Sequence, residues 1–391
     1  MKLKEVRARI VKDSRREKTI CISVNGCETS SPSGKSTGKY EKPCYKKSVE
    51  GDMDFINSFE FEHEIKNFES LIDIERVIAH KIGANTLFAL EASILKALAK
   101  DEGKELWQIL NPHLELKQAK FPRVLSNTIG GGAHSNNAQH PDFQEFLISS
   151  DNNPSKSKDI NDNLYCRATT TLNNLEQKKI GKNDENALQT SFGNEQVLEV
   201  MKDLQEDISD ERTTKVNIGI DCAASQIYKN GKYVYKNPLQ NINSQQQIDY
   251  LAGLIKKYAL FYVEDPLDEE DFLGFSKLLG KTKNCLIVGD DLTVTNLDRL
   301  HQAIINKSIN GIIVKPNQTG SLLEVKKVIE LAKKNKISVI VSHRSGETKD
   351  FTIADIAFAW QADFIKTPVI GAERVTKVDR LIDIEKSLSK A

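Results

Sequence analysis

The chain has 391 residues, and its 55 lysines and arginines balance 55 aspartates and glutamates, so the formal net charge is zero. This balance gives no support to a nucleic-acid coat or a membrane-surface binder. Because 39% of the residues are hydrophobic, the chain can bury at least one large core, which excludes disorder throughout. It contains no long apolar run, and its six dispersed cysteines form no CxxC pair. We therefore expect a cytoplasmic protein with reduced thiols, without a membrane span or a nucleic-acid partner.

The N-terminal region begins with a pattern typical of a β-hairpin. Apolar and polar residues alternate over 6–10 and 20–24, on either side of a polar stretch. Residues 28–39 contain no apolar side chain and are rich in serine, glycine and lysine, which predicts a mobile loop. Between 71 and 110, apolar residues recur at spacings of three and four, which predicts amphipathic helices. We therefore expect a small α+β domain over residues 1–118.

After about residue 120, short apolar runs alternate with helical patterns. The clearest runs are residues 216–220, 260–263, 286–288, 312–314, 339–341 and 364–365. Short buried strands that alternate with helices predict βα units and a parallel sheet. The asparagine- and serine-rich segment 151–163 is interpreted as a surface loop.

A chemically capable side chain follows each of these six runs. In chain order they are Asp221, Glu264, Asp290, Lys315, His343 and Lys366. From the second onward, they are separated by 26, 25, 28 and 23 residues, about one βα unit each. In a (β/α)8 barrel the active site lies at the C-terminal ends of the strands, where these residues would converge. The sequence therefore predicts an α/β protein in which a (β/α)8-type barrel over residues 119–391 follows the smaller domain.

These residue types point to metal-assisted proton transfer. Any one of them could be an ordinary polar residue at a strand end, but the succession favours a site. Three carboxylates suit a hard octahedral cation, Mg²⁺ before Ca²⁺ or Mn²⁺. A lysine on the next strand can act as a general base, because nearby positive charge lowers its pKa. A metal ion together with a lysine suggests removal of a proton next to a carboxylate.

Longer motifs surround these residues. They read DSR at 13–15, PSGKSTG at 32–38, GGAH at 131–134, QEF at 144–146, DCAAS at 221–225, EDP at 264–266, VGDDLTVTN at 288–296, KPNQ at 315–318 and SHRSGET at 342–348. The chain resembles the enolase family in these motifs, and the resemblance extends from about residue 6 to about residue 384. It implies an enolase-like barrel that dehydrates 2-phosphoglycerate to phosphoenolpyruvate in glycolysis and gluconeogenesis. It also implies two Mg²⁺ ions per active site and a homodimer or higher homo-oligomer.

The resemblance also assigns roles to individual residues. Lys315 would be the general base, and Glu185, assisted by Glu145, would be the general acid. His134 and His343 would contact the substrate. The remaining assignments are Asp221, Glu264, Asp290 and Ser36 for the metal ions, and Gln144, Arg344, Ser345, Lys366 and Ser36 for substrate binding.

Some departures from the family pattern leave an alternative open. Residues 183–187 read NDENA where the family has GDEGG, and Lys35 replaces a small residue. If the lost glycines had positive φ, Ala187 would cost about 1 kcal/mol there. The alternative is a non-catalytic enolase-like paralogue with a binding or structural role. A sugar-acid dehydratase or racemase is less favoured, because the run 216–221 lacks the K-x-K base pair typical of those enzymes.

Overall fold

The computed structural model describes residues 1–35, 38–135 and 137–389. The N-terminal domain is a three-stranded sheet covered by helices. Its elements are β1 (Val6–Lys12), β2 (Lys18–Val24), β3 (Cys27–Ser30), α1 (Val49–Ser58), α2 (Leu71–Ile78), α3 (Ala84–Asp101) and α4 (Leu106–Leu110). Strands β1 and β2 form the predicted antiparallel hairpin. The predicted loop is shorter than expected, because residues 27–30 pair with β2 as a third strand.

Helix α3 forms the centre of this small domain. It is rich in alanine and leucine, which favour helix, and nearly all of its side chains are buried. The helix packs against β2 and β3, and the Ser93 hydroxyl donates a 2.8 Å hydrogen bond to the backbone carbonyl of Ile22. The small domain therefore buries apolar side chains between the hairpin and α3, and these join the core of the barrel domain.

The rest of the chain alternates strands and helices. The elements are β4 (Arg123–Gly130), β5 (Glu145–Ser150), α5 (Pro154–Glu176), β6 (Leu188–Gln189), α6 (Asn194–Arg212), β7 (Val216–Asp221), β8 (Tyr228–Lys229), β9 (Lys232–Lys236), β10 (Leu239–Ile242), α7 (Ser244–Tyr258), β11 (Tyr262–Glu264), α8 (Phe272–Lys281), β12 (Leu286–Gly289), α9 (Leu297–Asn306), β13 (Gly311–Val314), α10 (Pro316–Thr319), α11 (Leu322–Lys334), β14 (Ser338–Ser342), α12 (Thr352–Ala359), β15 (Phe364–Lys366) and α13 (Ala372–Leu388). The predicted surface loop over 151–163 is wrong, because α5 begins at Pro154.

Eight of these strands close into a barrel. Their order is β4, β5, β7, β11, β12, β13, β14 and β15, and β15 pairs with β4 to complete the ring. The predicted barrel fold is confirmed, with one difference in strand direction. Strand β5 runs antiparallel to both neighbours, because residues 131–144 return the chain without a crossover helix. Strand β6 lies beside β4, and β8–β10 form a separate sheet.

The interior of the barrel is filled by side chains rather than open. Seven barrel strands each contribute one fully buried apolar or aromatic residue to a single cluster: Leu125, Leu147, Tyr262, Val288, Ile313, Ile340 and Phe364. The eighth strand, β7, has Gly219, where an added Cβ would lie 2.8 Å from the Tyr262 Cβ. This packed layer lies directly beneath the charged residues at the C-terminal ends of the strands.

Candidate active site

A cavity lies at the C-terminal ends of the parallel strands. Asp221, Glu264 and Lys366 are the last residues of their strands, while Asp290 and Lys315 immediately follow theirs. The reversed direction of β5 places its first residue at the same edge, and Glu145 is therefore paired in register with Asp221.

Most of the residues singled out from the sequence line this cavity. They are His134, Gln144, Glu145, Glu185, Asp221, Asp290, Lys315, His343, Arg344, Ser345 and Lys366. Glu264 does not line the cavity, but it is fully buried and contacts Lys366. Ser36 lies outside the described residues. Gln144 accepts a 2.9 Å hydrogen bond from the side chain of Gln226, which lines the same wall.

Lys366 is surrounded by carboxylates. Its Nζ lies 2.8 Å from Glu145 Oε2, 2.9 Å from Asp221 Oδ2 and 2.8 Å from Glu264 Oε2. Burial alone would lower the pKa of this lysine, but the carboxylates outweigh it and raise the pKa well above its usual value. Lys366 is therefore a fixed ammonium group in the centre of the site.

Lys315 has a different environment at the end of β13. Its ammonium group contacts the carboxylate of Asp290. Burial would lower the pKa of Lys315, but Asp290 outweighs burial and raises it. The lowered pKa expected from the sequence depends on the charge of a nearby metal ion and stays a prediction. Lys315 can act as a base only if the Asp290 carboxylate leaves it for another partner, such as a cation.

The buried carboxylates outnumber the lysines that face them. Burial raises the pKa of Glu264 well above its usual range, and repulsion from Asp221 adds to this effect. Burial, together with the charge of Asp290, raises the pKa of Asp291 to about 7. Such a concentration of oxygen ligands with too little positive charge suits a hard divalent cation. The residues present therefore fit Mg²⁺.

The carboxylates are not grouped as the sequence suggested. Among the residues that the structure describes, two sets have ligand atoms within 4.8 Å of one another: His134, Glu145 and Glu185, and Asp265, Asp290 and Asp291. The expected trio is divided because Lys366 holds Asp221 and Glu264, whereas Lys315 holds Asp290.

Asp265 is a site residue that the sequence argument did not single out. Its carboxylate accepts hydrogen bonds from the backbone N–H groups of Asp290 (3.0 Å) and Asp291 (2.8 Å). It thereby fixes the backbone that follows β12. The signal was present, since Asp265 is the middle residue of the EDP motif and directly follows Glu264.

His134 and Glu185 form a buried pair that lines the same cavity. His134 Nδ1 lies 3.3 Å from Glu185 Oε1, and their side chains are 4% and 2% exposed. Burial lowers the pKa of His134, but the Glu185 carboxylate more than offsets this and raises it to about 8. Burial would raise the pKa of Glu185, yet His134 outweighs it and holds the pKa well below its usual range. The pair therefore holds its proton on the histidine.

The altered loop still places Glu185 in the cavity. The side chain of Asn183 accepts hydrogen bonds from the backbone N–H groups of Glu185 and Ala187, both at 2.9 Å. The left-handed conformation falls on Asn186, with φ of 65°, and Ala187 has ordinary backbone geometry. The strain expected at Ala187 is therefore absent. Asn186 takes the left-handed conformation, which asparagine tolerates, and the side chain of Asn183 holds the turn by its hydrogen bonds.

The cavity also has a buried guanidinium group, that of Arg344. Arg344 Nη2 lies 2.9 and 3.1 Å from the two carboxylate oxygens of Glu41, which belongs to the small domain. The Ser345 hydroxyl accepts a 2.6 Å hydrogen bond from the backbone N–H of Lys35. The ammonium group of Lys35 lies 3.3 Å from Asp184 Oδ2, so this residue also contacts the loop that carries Glu185.

Arg374 on α13 is a second residue that the sequence argument missed. Its side chain is fully buried, with Nη1 2.9 Å from His343 Nδ1 and Nη2 2.8 Å from the carbonyl oxygen of Ser345. Burial lowers the pKa of His343 well below its usual value, and the charge of Arg374 acts in the same direction. His343 is therefore neutral. No motif identified Arg374, because it lies in a helix outside the motifs described above.

The His134–Glu185 pair predicts a pH dependence of stability. Because the folded-state pKa of His134 exceeds the ordinary value of 6.5, its proton stabilises the folded protein below pH 6.5, and this contribution is lost as the pH rises through about 8. The expected loss in the free energy of unfolding is about 2 kcal/mol. Urea unfolding in EDTA at a series of pH values measures it.

His134→Gln should remove this part of the pH dependence. The matched control is His301→Gln, which replaces an exposed histidine on α9 and should leave the dependence as it is. Identical pH profiles for the wild type and His134→Gln would show that the pair does not carry the proton.

The fold and the site define a class of barrel enzyme, with acid–base residues at the strand ends and a small capping domain. The family model for the enolase C-terminal TIM barrel domain matches residues 118–391. Curated enolases of Methanosphaera stadtmanae and Thermoplasma acidophilum are 36% and 33% identical to this chain, and each alignment covers 99% of it. The alignments cover 97% and 99% of those two proteins. The chain therefore belongs to the enolase family.

The comparisons confirm the predicted family and the predicted enzyme class, a hydro-lyase. The enolase of Natronomonas pharaonis is 35% identical over 97% of this chain and 98% of its own length. Within the described ranges, no helix combines the length and apolar character needed to cross a membrane.

Proposed function

We propose that the protein dehydrates 2-phosphoglycerate to phosphoenolpyruvate, with Mg²⁺, as a cytoplasmic enzyme of glycolysis and gluconeogenesis. The observation that supports this most directly is one cavity that contains two lysines, a carboxylate cluster, a His–Glu pair and a buried arginine. The names of the curated relatives support the same reaction. A homodimer or a higher homo-oligomer is part of the proposal.

The carboxylates of β7, β11 and β12 are the proposed ligands of the first Mg²⁺. They are Asp221, Glu264 and Asp290, and the surplus of buried negative charge around them supports a divalent cation here. Ser36, which lies outside the described residues, is proposed to complete the second Mg²⁺ site. When bound, the two ions would neutralise the charge that develops on the substrate carboxylate.

Lys315 is proposed to remove the proton from C2 of the substrate. When Asp290 directs its carboxylate to a cation, the interaction that raises the pKa of Lys315 is lost, and the amine can become neutral. Lys366 is the weaker candidate, because carboxylates on three strands hold its proton and one of them, Glu145, is not a proposed metal ligand. Lys366 instead offers a permanent positive charge to the substrate carboxylate.

Glu185, assisted by Glu145, is proposed to protonate the departing 3-hydroxyl group. The C2–H bond breaks, the C2–C3 double bond forms, and the C3–O bond breaks as water leaves. Burial raises the pKa of Glu145 to about 7, so this carboxyl can hold a proton near neutral pH. His134, which is paired with Glu185, would contact the substrate beside it.

The part of the cavity around Arg344 is proposed to bind the phosphate. Arg344 and Ser345 offer charge-assisted and neutral hydrogen bonds. The neutral ring of His343 contacts the substrate next to them, and Arg374 positions all three residues from behind. Gln144 lines the wall shared with Gln226 and completes the substrate contacts.

Glu264→Gln is expected to weaken Mg²⁺ binding about tenfold or more, because it removes one charged ligand from the proposed site. Isothermal titration with Mg²⁺ measures the affinity. Glu211→Gln is the matched control, since Glu211 pairs with Arg167 on the outer helices. Unchanged Mg²⁺ affinity in Glu264→Gln would remove this residue from the ligand set.

The experiment that tests the function is the absorbance of phosphoenolpyruvate after addition of 2-phosphoglycerate, with Mg²⁺ and again with EDTA. Turnover that requires Mg²⁺ is the expected result. A folded protein that binds Mg²⁺ but does not turn over this substrate would contradict the proposal and favour the non-catalytic paralogue.

A further inference from the structure

Glu41 is a buried carboxylate whose position the proposed reaction does not explain. It lies between β3 and α1, in the small domain, and both of its oxygens contact Arg344 Nη2. The side chains of Glu41 and Arg344 are 6% and 3% exposed, so water does not screen the pair. The arginine proposed to bind the substrate phosphate is therefore already neutralised by an anion from the other domain.

Five other carboxylates in or next to the cavity have partners in the proposed reaction. Asp221, Glu264 and Asp290 are proposed to turn to a cation, and Glu145 and Glu185 are proposed to transfer a proton. Each of these acids would therefore exchange its present contact for another when the site is loaded. Glu41 has no such second cationic partner among the described residues that line the cavity.

Glu41 is also hydrogen-bonded to groups that do not depend on Arg344. Its Oε1 accepts from the backbone N–H of Gly38 at 3.0 Å and from the side chain of Gln318 at 3.3 Å. Gln318 in turn donates to Asp290 Oδ1 at 3.4 Å. The carboxylate can therefore remain in place, negatively charged, when a second anion reaches Arg344.

We propose that Glu41 is a built-in competitor for the substrate phosphate at Arg344. The proposal deepens the proposed function and rests on it for the role of Arg344. A phosphate dianion that reaches Arg344 must share the guanidinium with Glu41 and lie near its negative charge, which opposes binding. Glu41 thereby limits the affinity for both phosphorylated ligands, the substrate and the product, and keeps product release fast.

The test compares phosphate binding in the wild type and in Glu41→Gln, both loaded with Mg²⁺. Glutamine keeps the size and one hydrogen-bond acceptor but removes the competing charge. Inorganic phosphate is the probe, and isothermal titration measures its dissociation constant. We expect Glu41→Gln to bind phosphate about tenfold more tightly, because one buried opposing charge is gone.

The steady-state kinetics should change in the same direction. In Glu41→Gln, the KM for 2-phosphoglycerate should fall and kcat should fall with it, because the product leaves more slowly. A residue that only stabilised the fold or oriented Arg344 would raise KM when replaced. Glu324→Gln is the matched control, since it breaks the 2.5 Å ion pair with Lys42 in the neighbouring segment and leaves Arg344 untouched.

Glu41→Asp provides a second variant if the amide disturbs folding. Its shorter side chain draws the charge away from Arg344, so phosphate binding should tighten by less than in Glu41→Gln. Phosphate binding that is unchanged or weaker in a folded variant would overturn the proposal. Phosphate binding is measured without turnover. Its result is therefore independent of whether the wild type converts 2-phosphoglycerate.

Discussion

Lys315→Ala is expected to abolish exchange of the C2 hydrogen of 2-phosphoglycerate with solvent and to lower kcat by about 10³- to 10⁴-fold. The reason is that no other described amine in the cavity can take over. Lys366 is fixed as an ammonium group by Glu145, Asp221 and Glu264, and Lys35 lies at the rim, where it contacts Asp184. Exchange is measured by NMR in D₂O, and turnover by the absorbance of phosphoenolpyruvate.

The control for this substitution is Lys281→Ala, which removes an exposed lysine paired with Asp249 on the outer helices. It should leave exchange and turnover unchanged. Exchange at the wild-type rate in Lys315→Ala would show that another group removes the proton. A loss of folding is checked by thermal unfolding, because Lys315 also neutralises Asp290.

The barrel was predictable because its strands are buried on both faces. Continuous apolar runs such as 216–220 and 339–341 therefore mark strands β7 and β14 directly. The direction of a strand leaves no such mark in its own residues, and β5 was not recognised as antiparallel for that reason. Its direction depends on how residues 131–144 cross the barrel edge.

Composition misled the interpretation of 151–163, where the helix α5 begins. Many asparagines and serines suggested a loop, but two local signals indicated a helix start. Asn153 caps the helix by accepting a hydrogen bond from the backbone N–H of Lys156, and Pro154 occupies the first turn. Capping residues at defined positions are more informative here than the overall polarity of the segment.

The positions of the site residues could be predicted, but their pairings could not. The spacing of strand ends placed Asp290 and Lys315 at one edge of the barrel, since that depends only on the repeating unit. The contact of Glu41 with Arg344 joins two domains across 303 residues of sequence, so no local pattern contains it. The same holds for Arg374, which reaches His343 from the final helix.

The pKa directions depend on these pairings and were therefore also out of reach of the sequence. The contact with Asp290, which raises the pKa of Lys315, leaves no mark in the sequence. Glu185 was recognised in the sequence, yet only the structure shows that His134 keeps it ionised. An acid that begins as a carboxylate must receive its proton before it can donate one.

Glu185→Gln is expected to separate the two halves of the proposed reaction. The variant keeps Lys315 and the carboxylates of β7, β11 and β12, so C2 hydrogen exchange should continue within about tenfold of the wild-type rate. Formation of phosphoenolpyruvate should fall by about 10²- to 10⁴-fold, since glutamine cannot protonate the leaving hydroxyl. Both rates are measured on the same Mg²⁺-loaded preparation, by NMR and by absorbance.

The division of labour between Lys315 and Glu185 rests on their different partners. Glu185 is paired with His134, whereas Lys315 is paired with Asp290. Glu195→Gln, which breaks a surface pair with Lys257, is the matched control and should change neither rate. Equal loss of exchange and dehydration in Glu185→Gln would contradict the assignment, because the substitution would then act on the step assigned to Lys315. Unchanged dehydration would mean that the proton reaches the hydroxyl from another group. Glu145, whose pKa is about 7, would then be the first residue to mutate.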